Sequence, residues 1–376
     1  MAYARFRAAG ERLGARWREW PEPLRGGSVS DGEVDESAVR YHVVVQWLLQ
    51  RQLDGLAGDL ERDGRFLYLD FPLGTHPDGF DVWHEPELFA QGVEAGAPPD
   101  VFFTAGQRWG FPPMAPGAGT ADGWRHLEAC LDHQMAVSGL LRIDHVMSLH
   151  RLFWVPEGAE ATDGAYVRYP QDELLAVLSS ASHRWSTGVV GEDLGTVPDE
   201  VEELMVDHDL RRMYVVQFET TDDPRRPLHD PPPGSVAVGR HPRPAHARGW
   251  WTEHDIDLLR DLGLLDGDGE RRVRRERADA RRTLARWAGV TDDRHTPPRP
   301  EVLDRILDRL GRSDAGLVLV DVADLWGETE PFNVPGTVDE YPNWRKRSSR
   351  SVEELVGPEG PARVCSRLVD TRREEA

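Results

Sequence analysis

The chain has 376 residues, 39% of them hydrophobic and 30% charged, and carries a formal net charge of −21. This is the composition of a globular protein, and the negative charge argues against binding to nucleic acid or to anionic membrane surfaces. It contains two cysteines, no apolar run of membrane-spanning length and no signal-peptide pattern, so we expect a cytoplasmic protein without disulfides, metal clusters or a membrane anchor.

The first predicted elements are a helix from Asp35 to about Asp63 and a buried strand from Phe66 to Phe71. Residues 1–34 are charged and glycine-rich and contain no clear strand. The predicted buried face of the helix consists of apolar residues at helical spacing: Val39, Val43, Val44, Trp47, Leu48 and Leu56. A helix followed by a strand is half of a β/α unit.

A long irregular region is predicted from Leu73 to about Gly123. Loops of this length in a compact domain are usually functional or disordered, and the aromatic and proline content argues against disorder. The alternative is an ordered surface loop without a role in binding.

The stretch Gly139–Val146 follows a predicted helix, 127–137, and is predicted to be a short buried strand with charged residues at its end. Residues two apart on a strand share a face, so Arg142 and Asp144 should point the same way. Catalytic groups of parallel α/β proteins lie at such strand ends. The alternative is a purely structural arginine–aspartate pair.

A second strand of the same design, 187–195, follows a predicted helix at 173–183 and ends in Glu192 and Asp193. Neighbouring strand residues point to opposite faces, so only one of these two carboxylates should face a site shared with Asp144. Two carboxylates at one cavity suit retaining glycoside chemistry, in which one is the nucleophile and the other the acid and base.

The rest of the chain alternates further strands with helices, which indicates an α/β fold with a parallel sheet. The predicted strands lie at 213–219, 234–238 and 316–322, and the predicted helices at 255–264, 270–288 and 300–310. Helix 270–288 has few apolar anchors, so its arginine-rich face should be solvated. The polar end beyond about residue 357 should fray.

Three segments resemble the 4-alpha-glucanotransferase family (amylomaltase or disproportionating enzyme, glycoside hydrolase family 77): LLRIDHVMSLHRLFWVPEG, GAYVRYP and VVGEDLGTVPDEV. The resemblance covers roughly residues 2–347. It implies transfer of α-1,4-glucan segments between maltooligosaccharides, with Asp144 as nucleophile and Glu192 as general acid and base. The further residues that it implies in glucan binding are Asp78, Gln107, Trp109, Arg142, His145 and Asn333. It implies no cofactor and no metal.

The same resemblance implies a TIM-type (β/α)8 barrel, although the chain supplies six predicted strands and the segments for the first two are absent. We therefore expect residues 1–376 to form a partial catalytic barrel with an inserted substrate-binding loop at about 73–123 and a polar tail at about 350–376. Relative to the family pattern, Met1 falls inside the sequence and not at its beginning, so it looks like an internal start. A barrel that lacks two strands exposes sheet edges and apolar interior, so we expect poor solubility.

One position departs from the family pattern. The family has a third carboxylate in a Thr-His-Asp motif, and the surviving flanks 234–237 and 249–251 align Pro242 with its histidine and Arg243 with its aspartate. A cation near ~4 Å from a developing oxocarbenium ion opposes the reaction by several kcal/mol at intermediate dielectric. The chain as written should therefore be inactive or nearly so.

The residues around Arg243 suggest how the motif was lost. Codons for residues 241–249 can be written so that the same bases, read one base later, encode Thr-His-Asp-Leu-Pro-Thr-Leu-Ala. Our hypothesis is a short frame-shifted window within about 238–248, and the alternative is drift after loss of function. The nucleotide sequence of codons 235–251 decides between them.

Two other functions remain open at this stage: an α-glucan hydrolase on the same scaffold and a non-catalytic glucan-binding remnant.

Overall fold

A computed structural model describes residues 1–30, 32–99, 105–195, 197–239, 246–292, 300–334, 337, 339–357 and 363–375. The chain divides into two compact units. Unit 1 comprises Met1–Pro98 and Gly106–Leu210, and unit 2 comprises Pro99–Ala105 and Arg211–Ala376.

Unit 1 contains seven helices and seven strands in its described part. The helices are α1 (Ala2–Leu13), α2 (Glu36–Arg62), α3 (Phe80–His84), α4 (Pro116–Asp122), α5 (Arg125–Met135), α6 (Gln171–Trp185) and α7 (Asp199–Asp207). The strands are β1 (Tyr68–Phe71), β2 (Val93–Ala97), β3 (Gln107–Arg108), β4 (Leu140–Ile143), β5 (Arg151–Pro156), β6 (Ala165–Arg168) and β7 (Gly188–Gly191).

The central feature of unit 1 is a parallel three-stranded sheet in the order β1-β4-β7. All four residues of β4 are buried, because the sheet packs against an apolar cluster that includes Leu131 of α5 and Leu178 of α6. The register pairs Asp70 with Arg142 and Arg142 with Val190. The carboxyl ends of all three strands therefore meet at one edge.

Apart from residues 100–104, which are not described, the region 73–123 is more ordered than the sequence indicates. It contains α3, α4 and the strands β2 and β3, which join β5 and β6 in an antiparallel sheet of order β3-β2-β5-β6. The pattern missed β2 because its sequence, Val-Glu-Ala-Gly-Ala, has little apolar alternation and its pairing partner β5 lies more than fifty residues away in the chain.

Helix α2 begins where the sequence predicts it, with the side chain of Asp35 accepting a hydrogen bond from the Ser37 N–H at 2.8 Å. Its predicted buried face is wrong along most of its length. Val39 is buried and His42 pairs with Glu11 of α1 at 2.7 Å, yet the later members of the apolar stripe are exposed. Within unit 1 α2 packs on α1 through its first turns, so the periodic stripe continues past the surface that it contacts.

Unit 2 contains a second parallel three-stranded sheet, in the order β10-β9-β8. Its strands are β8 (Met213–Val215), β9 (Val236–Val238) and β10 (Leu317–Leu319). Its helices are α8 (Ala247–Thr252), α9 (His254–Asp261), α10 (Gly267–Ala288), α11 (Pro300–Gly311), α12 (Val322–Trp326), α13 (Val352–Val356) and α14 (Arg363–Glu375).

The arginine-rich face of α10 is not simply solvated. Arg277 and Arg281 are buried, and they bind Asp255 and Glu253 at 2.8 Å. Burial of a guanidinium requires such partners. The spacing of apolar residues in α10 cannot report partners that lie on another helix, and for this reason the prediction was wrong.

The chain end also differs from the prediction. Instead of fraying after residue 357, the described residues resume as helix α14, which packs against α11 through Leu368 and Thr371.

All six predicted parallel strands form, in two separate three-stranded sheets. The fold is thus mixed α/β with parallel sheets, and the described residues do not form a closed barrel. Within those residues, every helix is too short or too polar to cross a membrane.

Candidate active site

The guanidinium of Arg142 lies at the carboxyl edge of the unit 1 sheet, where it joins two carboxylates. It donates hydrogen bonds to Asp70 Oδ1 at 2.6 Å and to Asp144 Oδ1 at 2.8 Å. The Arg142 and Asp144 side chains are 10% and 15% exposed, whereas that of Asp70 is 65% exposed. Burial alone would lower the pKa of Arg142, but Asp144 and Asp70 together raise it above its usual value. Arg142 is therefore a fixed cation that holds Asp144.

Glu192 lies opposite Asp144 on the neighbouring strand. The register ends with Ile143 opposite Gly191, and the Glu192 N–H donates to the Ile143 carbonyl at 3.0 Å, which extends the ladder by one pair, to Asp144 and Glu192. Opposed residues of parallel strands share a face, and neighbouring strands lie about 4.8 Å apart. The separation of carboxyl groups in retaining glycosidases, about 5–5.5 Å, is of the same order.

The regular hydrogen-bond pattern between these two strands is interrupted at His145. A regular parallel pair would bring the His145 N–H to the Glu192 carbonyl, but Val146 N–H occupies that carbonyl at 3.0 Å. The His145 N–H donates instead to the Glu192 side chain, at 2.9 Å from Oε2. This backbone bond fixes the Glu192 carboxylate on the same edge as Asp144.

His145 adopts a left-handed backbone conformation, with φ of 51°. A residue other than glycine rarely adopts this conformation, which costs of order 1 kcal/mol or more and is concentrated at functional sites. The turn accounts for the skipped ladder position, since it separates the amide of His145 from the strand. The strained backbone conformation therefore occurs at the residue whose N–H orients the Glu192 carboxylate.

An aromatic surface borders the carboxylates. The ring of Trp109 contacts His145 edge-on at 5.4 Å between centroids and stacks on Phe111 at 6.2 Å. The Trp109 indole N–H donates to Gln107 Oε1 at 3.3 Å, which ties the ring to strand β3. A Cβ atom at Gly74 would overlap the Phe111 ring, so only glycine fits there.

The structure brings six of the predicted site residues together in unit 1: Gln107, Trp109, Arg142, Asp144, His145 and Glu192. Two others have different surroundings. The carboxylate of Asp78 binds Arg18 at 3.0 Å, and Asn333 lies half-buried after α12 in unit 2. Pro242 and Arg243, the altered third-carboxylate position, lie outside the described residues.

Sequence reasoning missed two residues of β1 that interact with Arg142, Asp70 and Tyr68. Asp70 is a carboxylate near the carboxyl end of an otherwise apolar strand, one residue before Phe71, so a signal similar to that of Asp144 could have identified it. The Tyr68 hydroxyl is buried, without a hydrogen-bond partner in the described part of the chain. Burial raises the pKa of Tyr68 to about 12, although the charge of Arg142 opposes this rise. No comparable sequence signal marks Tyr68.

The arrangement provides two opposed carboxylates, a fixed cation and an aromatic surface. Among the described residues, no group of three or more histidine, cysteine, aspartate or glutamate side chains could hold a metal ion. The side chains themselves can attack a carbon centre, transfer a proton and stack on a ring.

Comparison with known proteins gives a consistent assignment. Residues 1–352 match the family described as 4-alpha-glucanotransferase. A 4-alpha-glucanotransferase of Mycobacterium bovis is 34% identical over 387 aligned positions, which cover 99% of this chain and 52% of that protein. The chain thus spans about half the length of the curated relatives that it matches first.

Two solved structures support the fold. The amylomaltase from Corynebacterium glutamicum aligns with a TM-score of 0.75 and 24% identity, covering 99% of this chain and 56% of that one. The amylomaltase from Streptococcus agalactiae, solved in complex with acarbose, aligns with a TM-score of 0.77 and 18% identity, covering 99% of this chain and 72% of that one. At these identities the likeness concerns the fold alone.

Proposed function

The chain belongs to the 4-alpha-glucanotransferase family, and from that premise we propose that its unit 1 edge is built for retaining transfer of α-1,4-glucan segments. The observation that carries the proposal is the opposition of Asp144 and Glu192 on one face of neighbouring strands. The donor and acceptor are maltooligosaccharides.

In the first step the Asp144 carboxylate attacks the anomeric carbon of the donor glucan. Glu192, as the acid, gives its proton to the glycosidic oxygen, and the bond to the leaving glucan breaks. The product is a glycosyl ester on Asp144. Splitting one difficult displacement into two easier ones is the advantage of this covalent route.

In the second step the hydroxyl of an acceptor glucan attacks the glycosyl ester. Glu192, now the base, takes the hydroxyl proton, and the Asp144 carboxylate leaves. Transfer requires that this hydroxyl react in place of water. The aromatic surface at Trp109 suits the binding of the acceptor glucan, since an indole face stacks on the apolar face of a sugar.

The neighbouring groups position the two carboxylates. Arg142 orients the Asp144 carboxylate through a 2.8 Å hydrogen bond. The His145 N–H donates to Glu192 Oε2 at 2.9 Å, and this bond can persist when Glu192 acts as the acid, because the proton is then carried by the other carboxyl oxygen. Gln107 and Trp109 border the bound sugar in this proposal, and Asp78 and Asn333 keep the glucan contacts that the resemblance assigns to them.

A (β/α)8-type barrel remains the proposed architecture, supported by six parallel strands that alternate with helices. Residues 1–376 are proposed as one partial catalytic barrel with the substrate-binding loop at about 73–123. A cytoplasmic location remains a prediction from the sequence.

Arg243 is proposed to suppress turnover in this chain, and it favours a second candidate, a glucan-binding remnant. The two candidates differ in one outcome. Replacement of Pro242 by histidine and of Arg243 by aspartate restores turnover of an enzyme with an impaired site, but leaves a remnant inactive.

The test is incubation of the chain and the Pro242→His/Arg243→Asp variant with maltotriose, followed by chromatography of the products. Glucose with rising amounts of longer oligomers indicates transfer, whereas glucose and maltose alone indicate the hydrolase. Asp144→Asn and Glu192→Gln in the restored background should abolish turnover, and the exposed Asp59→Asn should leave it unchanged. Equal turnover in all of these variants would exclude the proposed roles.

A further inference from the structure

Three side chains of unit 1 that take no part in the proposed glucan chemistry form a chain of contacts at the first turns of α5. Glu85 follows α3, and His126 and Cys130 lie one helical turn apart on one face of α5. The Nδ1 atom of His126 lies 2.7 Å from Glu85 Oε2, and its Nε2 atom lies 3.7 Å from Cys130 Sγ. The imidazole therefore connects a carboxylate to a thiol.

The contact with Glu85 decides the role of each nitrogen of the His126 ring. An ionised carboxylate only accepts hydrogen bonds, so His126 Nδ1 carries a proton and donates to Glu85. This leaves Nε2 as the nitrogen that exchanges a proton with the Cys130 thiol. A nucleophile, a base that contacts it and a third group that orients the base are the parts of an activated nucleophile.

The charges of this cluster favour a nucleophilic sulfur. Cys130 and Glu85 raise the pKa of His126 to about 9, although burial opposes the rise, so the ring is protonated at neutral pH. Asp122 and Arg125, which precede His126 in the chain, form an ion pair with each other. A protonated imidazole beside a sulfur stabilises the thiolate, which is the reactive form of cysteine.

The cluster lies at the surface of unit 1. The side chains of His126 and Glu85 are 16% and 42% exposed, and Cys130 is half-buried. The ring of Phe89 contacts the His126 ring edge-on at 6.0 Å between centroids and helps to hold the imidazole in place. A reagent as small as hydrogen peroxide suits a partly covered thiol of this kind.

We propose that Cys130 is a peroxide-sensitive thiol, oxidised by hydroperoxides with His126 accepting and returning its proton. The thiol proton passes to His126 Nε2, and the sulfur attacks one oxygen of the peroxide. An S–O bond forms as the O–O bond breaks, and the leaving hydroxide takes the proton from Nε2 to become water. The sulfur is oxidised to a sulfenic acid, and the peroxide is reduced. The cluster shares no residue with the proposed glucan site, so glucan transfer can fail without affecting this chemistry.

The second cysteine of the chain, Cys365, is exposed on α14 and serves as an internal control. The full chain is treated with hydrogen peroxide at neutral pH, the peroxide is removed with catalase, and the chain is unfolded in urea with dimedone, which labels sulfenic acids. Peptide mass spectrometry then gives an oxidation rate for each cysteine. We expect Cys130 to react about fivefold faster than Cys365, because its larger thiolate fraction outweighs the lower nucleophilicity of such a thiolate. If exposure alone set the rate, Cys365 would react faster.

Three variants and a denatured control complete the test. His126→Gln and Glu85→Gln should each slow the oxidation of Cys130, the first about fivefold, and the exposed Glu87→Gln is the matched control that should leave the rate unchanged. If His126→Gln fails to fold, the Glu85→Gln rate and peroxide treatment of the unaltered chain in urea still decide, since the two cysteines should react equally once unfolded. A Cys130 rate at or below that of Cys365, an unchanged rate in His126→Gln or Glu85→Gln, or a difference between the cysteines that persists in urea overturns the proposal.

Discussion

Arg142→Met is the substitution that most directly probes how the candidate site is held together. Methionine keeps much of the apolar stem of the side chain but removes the cation that binds Asp70 and Asp144. The two hydrogen bonds differ in burial. The pair with Asp144 joins side chains that are 10% and 15% exposed, and the pair with Asp70 involves a carboxylate that is 65% exposed.

The expected cost follows from this difference. Removing one partner of a buried ion pair costs about 3–5 kcal/mol, because the other charge remains buried. An exposed pair contributes about 0–1 kcal/mol. We therefore expect Arg142→Met to lower the free energy of unfolding by about 3–5 kcal/mol and Asp70→Asn by about 1 kcal/mol or less.

The double variant Arg142→Met/Asp144→Asn should recover about half or more of the loss, since it removes the buried charge as well. Urea unfolding followed by tryptophan fluorescence measures each value. A cost below about 1 kcal/mol for Arg142→Met, or equal costs for Arg142→Met and Asp70→Asn, would refute the argument from burial.

Three further predictions concern other parts of the molecule. In unit 2, Asp255→Ala should lower the free energy of unfolding by about 3–5 kcal/mol, because it leaves a buried guanidinium without its bidentate partner; a change under about 1 kcal/mol in urea unfolding would contradict this. On α2, Leu48→Glu should increase the soluble, monodisperse fraction in size-exclusion chromatography without lowering the melting temperature, because Leu48 is 46% exposed; good solubility of the unaltered chain would remove the basis of this prediction. In unit 1, Cys130 and Glu85 raise the pKa of His126 to about 9 from its ordinary 6.5, although burial opposes the rise. The protonated ring therefore stabilises the fold fully below pH 6.5, and this stabilisation is lost as the pH rises through 9. His126→Gln should flatten the dependence of the unfolding free energy on pH in that window, and an unchanged slope would contradict the assignment.

The sequence predicted those parts of the fold that depend on local pattern. The apolar runs ending at Asp144 and Glu192 predicted two strands, and the alternation of side chains predicted that Arg142 and Asp144 share a face. The hydrogen bond of Arg142 to Asp144 is consistent with that prediction. The family assignment from three motifs was confirmed by the match over residues 1–352.

The remaining features depend on partners that are distant in sequence. The bond of Arg142 to Asp70 requires the register of β1 against β4, which no local pattern specifies. The left-handed turn of His145 is also invisible in the sequence, since no glycine marks it. The burial of Arg277 depends on Asp255, a residue of another helix.

The most direct test of the central claim is covalent trapping of the nucleophile. Maltotriosyl fluoride supplies a leaving group that needs no acid, so in a Glu192→Gln chain with the Pro242→His/Arg243→Asp restoration the Asp144 carboxylate should displace fluoride and retain the sugar. Peptide mass spectrometry should then find the maltotriosyl group on Asp144, and its absence after Asp144→Asn is the control. A label on another carboxylate, or no label in the restored chain, would contradict the account.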